Sequence, residues 1–283
     1  MSLMSSGDEP EPRPTPFEVE TTLGPVPCRR WGDGTQDVLL LVHGATANQH
    51  WWDHIAPSLA KNRTVVTLDL SGHGEAPHRS PYSYPRWARE VTEVAAIIGK
   101  APVTLVGHSM GGAVCLLAAQ STPSVSRQVI TIDTMVREAS AEETTARRDR
   151  ANRRHRVYAS KHEALDRFHT LPPSSRAHDH FLRSVAEHSV TPVPQGWSWK
   201  FDLRVLGIDL VSPDDLHVTE VPTVLIRADD GLVDAAMEAD VLDRLGRLAS
   251  ARTISDCGHH VMLERPAELI RELELALAPR TSH

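Results

Sequence analysis

The strongest constraint on the fold of this chain is the stretch 102–118, in which an apolar β-branched run leads through a glycine-rich turn into an apolar helix-like run. At the turn, residues 107–111 read Gly-His-Ser-Met-Gly, a G-x-S-x-G pattern. A serine on so tight a strand-to-helix turn has strained backbone, and its glycine neighbours avoid a clash with the adjoining strand and helix. The following helix would direct unpaired N–H groups to the same place. We therefore predict that Ser109 is a nucleophile held above the end of a β-sheet.

Apolar strand-like runs alternate with helix-like runs on both sides of this turn. Besides the strand of the turn, we expect strands at 17–22, 26–31, 37–43, 63–70, 128–132, 223–227 and 251–255, and helices at 52–59, 85–98 and 266–278. The first two strands are short and joined by Leu-Gly-Pro, which predicts an antiparallel hairpin. The alternation predicts an α/β fold with a doubly wound, mostly parallel sheet, helices on both faces and an active site at the carboxyl ends of the strands.

The alternation breaks between residues 134 and 222, where the segments are helix-like and rich in Arg, Ala and His. A crossover between parallel strands needs only about a dozen residues, so we predict an inserted helical cap. The expected organisation is a disordered leader at 1–16, a core at 17–134 and 221–283, and a cap at 135–220. The cap contains a dense cluster of arginines at 147, 148, 150, 153, 154 and 156. Their spacing favours a solvated surface or pairing with Glu142 and Glu143, and the alternative is attraction of an anionic substrate.

Composition excludes several classes of function. With 283 residues and a formal net charge of −7, the chain is long enough for a sizeable core and is not expected to bind nucleic acid. No apolar run approaches the roughly 18 residues of a membrane span, and residues 1–16 lack a signal-peptide pattern, so we expect no membrane association. Three cysteines without metal-type spacing, Cys28, Cys115 and Cys257, favour small buried side chains in a reduced, cytoplasmic protein.

A serine hydroxyl is a weak nucleophile and needs a base oriented by a third group. Candidates for both roles follow later predicted strands, in the chain order Ser, Asp, His that accompanies this turn. Asp229 and Asp230 follow the strand at 223–227, and His259 and His260 follow the strand at 251–255.

On these residues the chain closely resembles the α/β-hydrolase family, in particular its lid-bearing serine members, from about residue 17 to 278. The resemblance rests on His-Gly at 43–44, on Asp-Leu-Ser-Gly-His-Gly at 69–74, on Gly-His-Ser-Met-Gly-Gly at 107–112, on the paired aspartates and on Gly-His at 258–259. It implies that Ser109 is the nucleophile, Asp230 the orienting acid and His259 the general base. It also implies an oxyanion hole formed by the backbone N–H groups of Ala45 and Met110.

Three alternatives for these roles stay open. Arg227 stands where such proteins often have a glycine three residues before the acid, which keeps Asp229 a candidate. Asp133, at the end of the preceding strand, is the acid position of some relatives. The doubled histidine leaves His260 as a second candidate for the base.

The expected function is hydrolysis of a small, largely apolar ester, lactone or thioester, with a small molecule as substrate and no metal or organic cofactor. We expect His108, Trp51, Trp197 and Trp199 to line the substrate pocket, although an aromatic cap segment at 196–202 could equally form cap core. The alternatives are a carbon–carbon bond hydrolase acting on anionic ring-fission products, an acyltransferase or perhydrolase, and a ligand-binding protein without catalysis. The oligomeric state is left open.

Overall fold

The computed structural model describes residues 13–32, 37–174 and 176–278. The strands in these ranges are β1 (Thr15–Thr21), β2 (Gly24–Trp31), β3 (Val38–Val42), β4 (Thr64–Leu68), β5 (Val103–His108), β6 (Ser126–Ile132), β7 (Val190–Val193), β8 (Gly196–Trp199), β9 (Thr223–Ala228) and β10 (Ala249–Ile254). The α-helices are α1 (Ala56–Leu59), α2 (Tyr84–Ile98), α3 (Met110–Ser121), α4 (Ala141–Ala151), α5 (Lys161–Asp166), α6 (Asp179–His188), α7 (Ala235–Leu245), α8 (Val261–Glu264) and α9 (Pro266–Leu277).

Eight of the strands form one sheet in the order β1-β2-β4-β3-β5-β6-β9-β10. The hairpin of β1 and β2 is antiparallel, as expected, and β2 also runs antiparallel to β4. The other neighbours pair in parallel. This confirms the predicted mostly parallel sheet, and it places β5, the strand of the serine turn, near its centre.

Helices cover both faces of the sheet. Every residue of β3, β4 and β5 is buried, which explains why these strands read as continuous apolar runs. One apolar core lies between the sheet and α2, α3 and α7, and the other between the sheet and α1, α8 and α9. The predicted apolar stripes account for this packing, for example Leu269 and Leu273 of α9, each of which contributes about 2 kcal/mol through burial.

The helix predicted at 52–59 is interrupted. A 3₁₀ turn at Gln49–Trp52, capped by the Asn48 side chain, precedes the single α-turn of α1. Pro57 lies in the first turn of α1, where its missing N–H costs nothing, so a new helix begins there instead of continuing the earlier turn.

The insertion between β6 and β9 contains α4, α5 and α6, but it is not purely helical. Strands β7 and β8 form an antiparallel hairpin in it, and Tyr158 extends the hairpin by pairing with Trp197. The alternation Trp-Ser-Trp at 197–199 is the sequence signal for this strand.

Most of the predicted leader, residues 1–12, lies outside the described residues, and β1 begins at Thr15, inside the range assigned to the leader. Cys28, Cys115 and Cys257 are buried and unpaired, as expected for small core side chains. None of the described helices has the length and apolar character that crossing a membrane requires.

Candidate active site

Ser109 lies at the turn between β5 and α3 with a positive φ of 52° and ψ of −121°. Its N–H donates to the Ile132 carbonyl of the neighbouring strand at 2.9 Å, which holds the strained residue in place. A Cβ on Gly107 would overlap the Gly111 carbonyl, and a Cβ on Gly111 would overlap the carbonyl oxygens at the end of β3. The two glycines are therefore required by close backbone approach on either side of Ser109.

The N–H groups of Ala45 and Met110 have no hydrogen-bond partner among the residues described, and both residues line a cavity together with Ser109. Gly44 lets the loop after β3 reach the serine turn, because a Cβ there would lie 2.9 Å from His108 Nδ1. Two free N–H groups beside a serine Oγ are what an oxyanion hole requires.

His43 supports this loop. Its Nδ1–H donates to the Gly44 carbonyl at 2.8 Å, and its Nε2 accepts from the Leu70 N–H at 3.2 Å. Burial lowers the pKa of His43 to about 4, so the ring is neutral at pH 7 with one nitrogen donating and the other accepting.

His259 is paired with Asp133. The Nδ1 of His259 lies 2.7 Å from Oδ2 of Asp133, and both side chains are buried. The Asp133 carboxylate also accepts from the Leu232 N–H at 2.8 Å and from the Ala228 N–H at 3.3 Å. A carboxylate held in this way fixes the tautomer of the imidazole, which leaves Nε2 free to accept a proton.

The expected pairing of Asp230 with His259 is not formed, and this prediction is corrected. The Asp230 side chain is 69% exposed and forms an ion pair with Arg176 at 2.8 Å. After β9 the chain turns sharply, with the Gly231 N–H bonded to the Ala228 carbonyl, and carries Asp230 away from the sheet. Gly231 lies so close to the Asp133 carboxylate that any Cβ would overlap it.

Asp229 does not reach His259 either. Its carboxylate accepts from the Asp256 N–H at 2.8 Å and from the Cys257 N–H at 3.0 Å. It therefore ties the loop after β9 to the loop that carries His259. Asp133, weighed in the sequence as an alternative, was signalled by its place directly after a buried strand next to β5.

His260 and His108 flank His259. His260 Nε2 donates to the Pro172 carbonyl at 2.8 Å, and His108 Nε2 donates to the His259 carbonyl at 2.9 Å. Burial lowers the pKa of His260 to about 4 and that of His108 well below its usual range, so both rings are neutral at pH 7. His260 is thus a poor base, and the alternative that it replaces His259 finds no support in these contacts.

Candidate metal ligands come from the same three rings. One nitrogen atom of each of His108, His259 and His260 lies within 4.8 Å of the others. Neutral imidazoles are good ligands for zinc and copper, so among the described residues this group is the candidate for holding a metal ion.

Two cavities meet at Ser109. One encloses about 160 Å³, and aromatic rings form much of its wall, including those of His108, Trp51 and Trp199. Trp197 lines neither cavity; it pairs with Tyr158 in the cap and lies beneath the Lys161 ammonium group. The other cavity encloses about 590 Å³ and is reached by arginines of the cap.

Ser109, His259 and Ala45 line both cavities, so the structure brings these predicted residues together at one place. Met110 lines only the arginine side. No hydrogen bond joins Ser109 Oγ to His259 within the described ranges. Catalytic hydrogen bonds often form only when substrate binds. The relevant observation is therefore that Ser109 and His259 line the same two cavities.

Comparison with known proteins agrees with this geometry. Residues 39–272 match the Alpha/beta hydrolase family. The mouse sn-1-specific diacylglycerol lipase ABHD11 is 23% identical over 264 residues, which cover 87% of this chain and 83% of that protein.

Solved structures show the same fold. E-2-(acetamidomethylene)succinate hydrolase superimposes with a TM-score of 0.81 at 19% identity, covering 94% of this chain and 99% of that one. The thioesterase domain from the curacin biosynthetic pathway superimposes with a TM-score of 0.79 at 21% identity, covering 94% and 100%. The fold, the strained serine turn and the match over 39–272 lead to one conclusion: this chain belongs to the α/β-hydrolase family of enzymes.

Proposed function

We propose that the protein is a serine hydrolase that cleaves acyl compounds through an acyl-enzyme, with Ser109 as nucleophile, His259 as general base and Asp133 as the orienting acid. The observation that carries this proposal is the buried 2.7 Å contact between His259 and Asp133 beside the strained serine turn. A serine, a base and an acid in these positions perform the same chemistry on unrelated folds.

The reaction begins when Ser109 Oγ attacks the substrate carbonyl and His259 Nε2 takes the hydroxyl proton. Asp133 keeps the proton on Nδ1 and stabilises the imidazolium that forms. The backbone N–H groups of Ala45 and Met110 stabilise the oxyanion, each by about 3 kcal/mol in such sites. His259 then protonates the leaving group, and water releases the acyl group by the same steps in reverse.

An ester or thioester is the substrate class that the site favours. The aromatic cavity at Ser109 has no Arg, Lys, Asp or Glu in its wall, so it fits an uncharged apolar group. Two similar proteins are, by name, a diacylglycerol lipase and a thioesterase domain, and both names denote acyl hydrolysis. Three unpaired, buried cysteines fit a reducing compartment such as the cytoplasm.

The test is hydrolysis of p-nitrophenyl acetate, butyrate and octanoate by the wild type and by Ser109→Ala. We expect the variant to lose at least about 10⁴-fold in kcat while its circular dichroism and melting temperature stay close to those of the wild type. The order of kcat/KM among the three esters would show which acyl chain length the aromatic cavity accommodates.

Retention of activity by a folded Ser109→Ala variant would contradict the proposal. Failure of the folded wild type both to turn over any of the esters and to react with a fluorophosphonate probe would favour a ligand-binding role.

A second candidate is a carbon–carbon bond hydrolase that uses the same residues on anionic ring-fission products. Arginines in the wall of the larger cavity favour this reading, because such substrates are negatively charged. Turnover of a vinylogous 1,5-diketone acid at a higher kcat/KM than any p-nitrophenyl ester would select it over the esterase.

A further inference from the structure

We propose that Arg147, Arg150 and Arg153 form an anion subsite, so that the substrate has a carboxylate or phosphate on one side of the scissile bond and an uncharged apolar group on the other. This inference rests on the proposed function, because it specifies the substrate of the reaction at Ser109. The supporting observation is the difference between the residues that line the two cavities at Ser109.

The wall of the larger cavity contains arginines but no acidic residues. Its wall includes all three of these arginines together with Ser109, Met110 and His259, and it contains no aspartate or glutamate. The whole chain has a formal net charge of −7, so this concentration of positive charge runs against the overall composition. Positive charge in a concave site raises the local concentration of anions and speeds their association.

Helix α4 directs these arginines to the cavity. Arg147 and Arg150 are one turn apart on α4, and Arg153 follows one turn later, just past its end, so the three lie along one side. The helix packs closely on the turn at Leu203–Gly207, since a Cβ on Gly207 would lie 2.7 Å from Ala151 Cβ. The cap therefore holds this side in a fixed place.

The other arginines of the cluster have different contacts. Arg148 lies 3.5 Å from the Asp209 carboxylate, and Arg156 lies over the ring of Tyr158. The sequence favoured one solvated cluster, whereas the structure divides it into arginines that face the cavity and arginines that do not.

The expected pairing with Glu142 and Glu143 does not hold the cavity arginines in place. Glu143 forms its ion pair with Arg137 at 2.8 Å. The hydrogen bond from Arg137, followed by the nearby charges of Arg137, Arg147 and Arg150, holds the pKa of its carboxyl below the usual value. Within the described ranges, no carboxylate forms an ion pair with Arg150 or Arg153. Arg147 is anchored by hydrogen bonds to the Ile208 carbonyl at 2.8 and 3.2 Å, so within the described ranges none of the three guanidinium groups is held in an ion pair with a carboxylate.

The aromatic cavity on the other side of Ser109 has the opposite character, with no Arg, Lys, Asp or Glu in its wall. A carbonyl carbon placed at Ser109 has one substituent on each side of the bond to be cleaved. An apolar substituent matches the cavity of about 160 Å³, and an anionic one matches the cavity of about 590 Å³. Guanidinium groups bind carboxylates and phosphates by paired hydrogen bonds.

The experiment compares pairs of substrates, one anionic and one neutral, that react at the same kind of acyl carbonyl. In the acyl arm, mono-p-nitrophenyl glutarate is compared with p-nitrophenyl butyrate. In the leaving-group arm, butyryl-coenzyme A is compared with the neutral thioester butyryl-N-acetylcysteamine. The enzymes are the wild type, Arg150→Gln, Arg153→Gln and the double variant, with Arg154→Gln as the matched control because Arg154 is exposed and lines neither cavity.

We expect the wild type to prefer the anionic member in one arm. In that arm the double variant should lose about 10- to 100-fold in kcat/KM on the anionic substrate but no more than about threefold on the neutral one. Arg154→Gln should behave as the wild type. The arm that responds identifies whether the acyl group or the leaving group carries the anion.

Equal losses on charged and neutral substrates, or no preference of the wild type in either arm, would overturn the anion subsite. Turnover of the neutral substrates that depends on Ser109 would then leave the proposed function standing. Failure of all four substrates would instead overturn the proposed function and this inference together.

Discussion

The loops that follow β6 and β9 look alike in the sequence and differ in the folded protein. Each follows a buried parallel strand and carries an aspartate, Asp133 in the first loop and Asp230 in the second. Asp133 is fully buried and bonded to His259, whereas the Asp230 side chain is 69% exposed and paired with Arg176. Position at a strand end is therefore not enough to make an orienting acid.

The second loop contributes to the site in another way. The N–H groups of Ala228 and Leu232 donate to the Asp133 carboxylate, and Gly231 leaves room for it. The first loop provides the acid and the second provides its hydrogen-bond donors. These two N–H donors hold the Asp133 carboxylate in place against Nδ1 of His259.

Replacing each aspartate by asparagine gives the largest contrast between the loops. We expect Asp133→Asn to lower kcat for p-nitrophenyl butyrate by about 10⁴-fold, because an amide no longer enforces the tautomer of His259 that can accept the serine proton. Stopped-flow or steady-state kinetics with a melting curve would measure this. A folded Asp133→Asn variant with nearly normal kcat would show that the contact to His259 has no catalytic role.

Gly231→Ala tests whether the β9 loop acts through Asp133. The added Cβ would push the buried carboxylate from His259, and we expect kcat to fall about 10- to 100-fold. A double-mutant cycle provides the control. Gly231→Ala should cost much less in the Asp133→Asn background, and equal costs in both backgrounds would contradict coupling between the loops.

The buried histidines His43 and His260 should make the folded protein less stable in acid. The pKa values of His43 and His260 are about 4 in the folded protein and near 6.5 when unfolded, so the unfolded chain binds more protons between these values. The free energy of unfolding should therefore keep its full value above pH 6.5. It should decrease as the pH drops towards 4, by up to about 3 kcal/mol for each histidine.

Urea unfolding at pH 7, 6 and 5 would measure the slope of the free energy of unfolding against pH. We expect His43→Gln, which keeps a donor and an acceptor but does not titrate, to reduce it. Asp230→Asn should leave the slope as it is in the wild type. An unaltered slope in His43→Gln would show that protonation of His43 does not limit stability in acid.

The smallest effect should come from the exposed ion pair of Asp230 and Arg176. We expect Asp230→Asn to change kcat less than twofold and the free energy of unfolding by no more than about 0.5 kcal/mol, since exposed ion pairs contribute little. The same assays apply. A large loss of kcat in this variant would restore Asp230 as the acid.

The sequence by itself determined the parts of this protein that depend on local chemistry. Three patterns each reflect a backbone or packing requirement that acts within a few residues. They are the glycines around Ser109, the continuous apolar runs in β3 to β5 and the apolar stripe of α9. They predicted the sheet and the strained serine, because periodicity and steric exclusion act over short distances along the chain.

Tertiary structure decided which aspartate meets His259, which arginines face the cavity and how the cap folds into a hairpin. Asp133 and His259 are 126 residues apart, and their contact depends on strand order and on N–H donors from a third segment. The two strand ends differ in the turn that follows each strand and in what the rest of the chain packs around the aspartate. That physical difference makes one aspartate a buried partner of His259 and leaves the other at the surface.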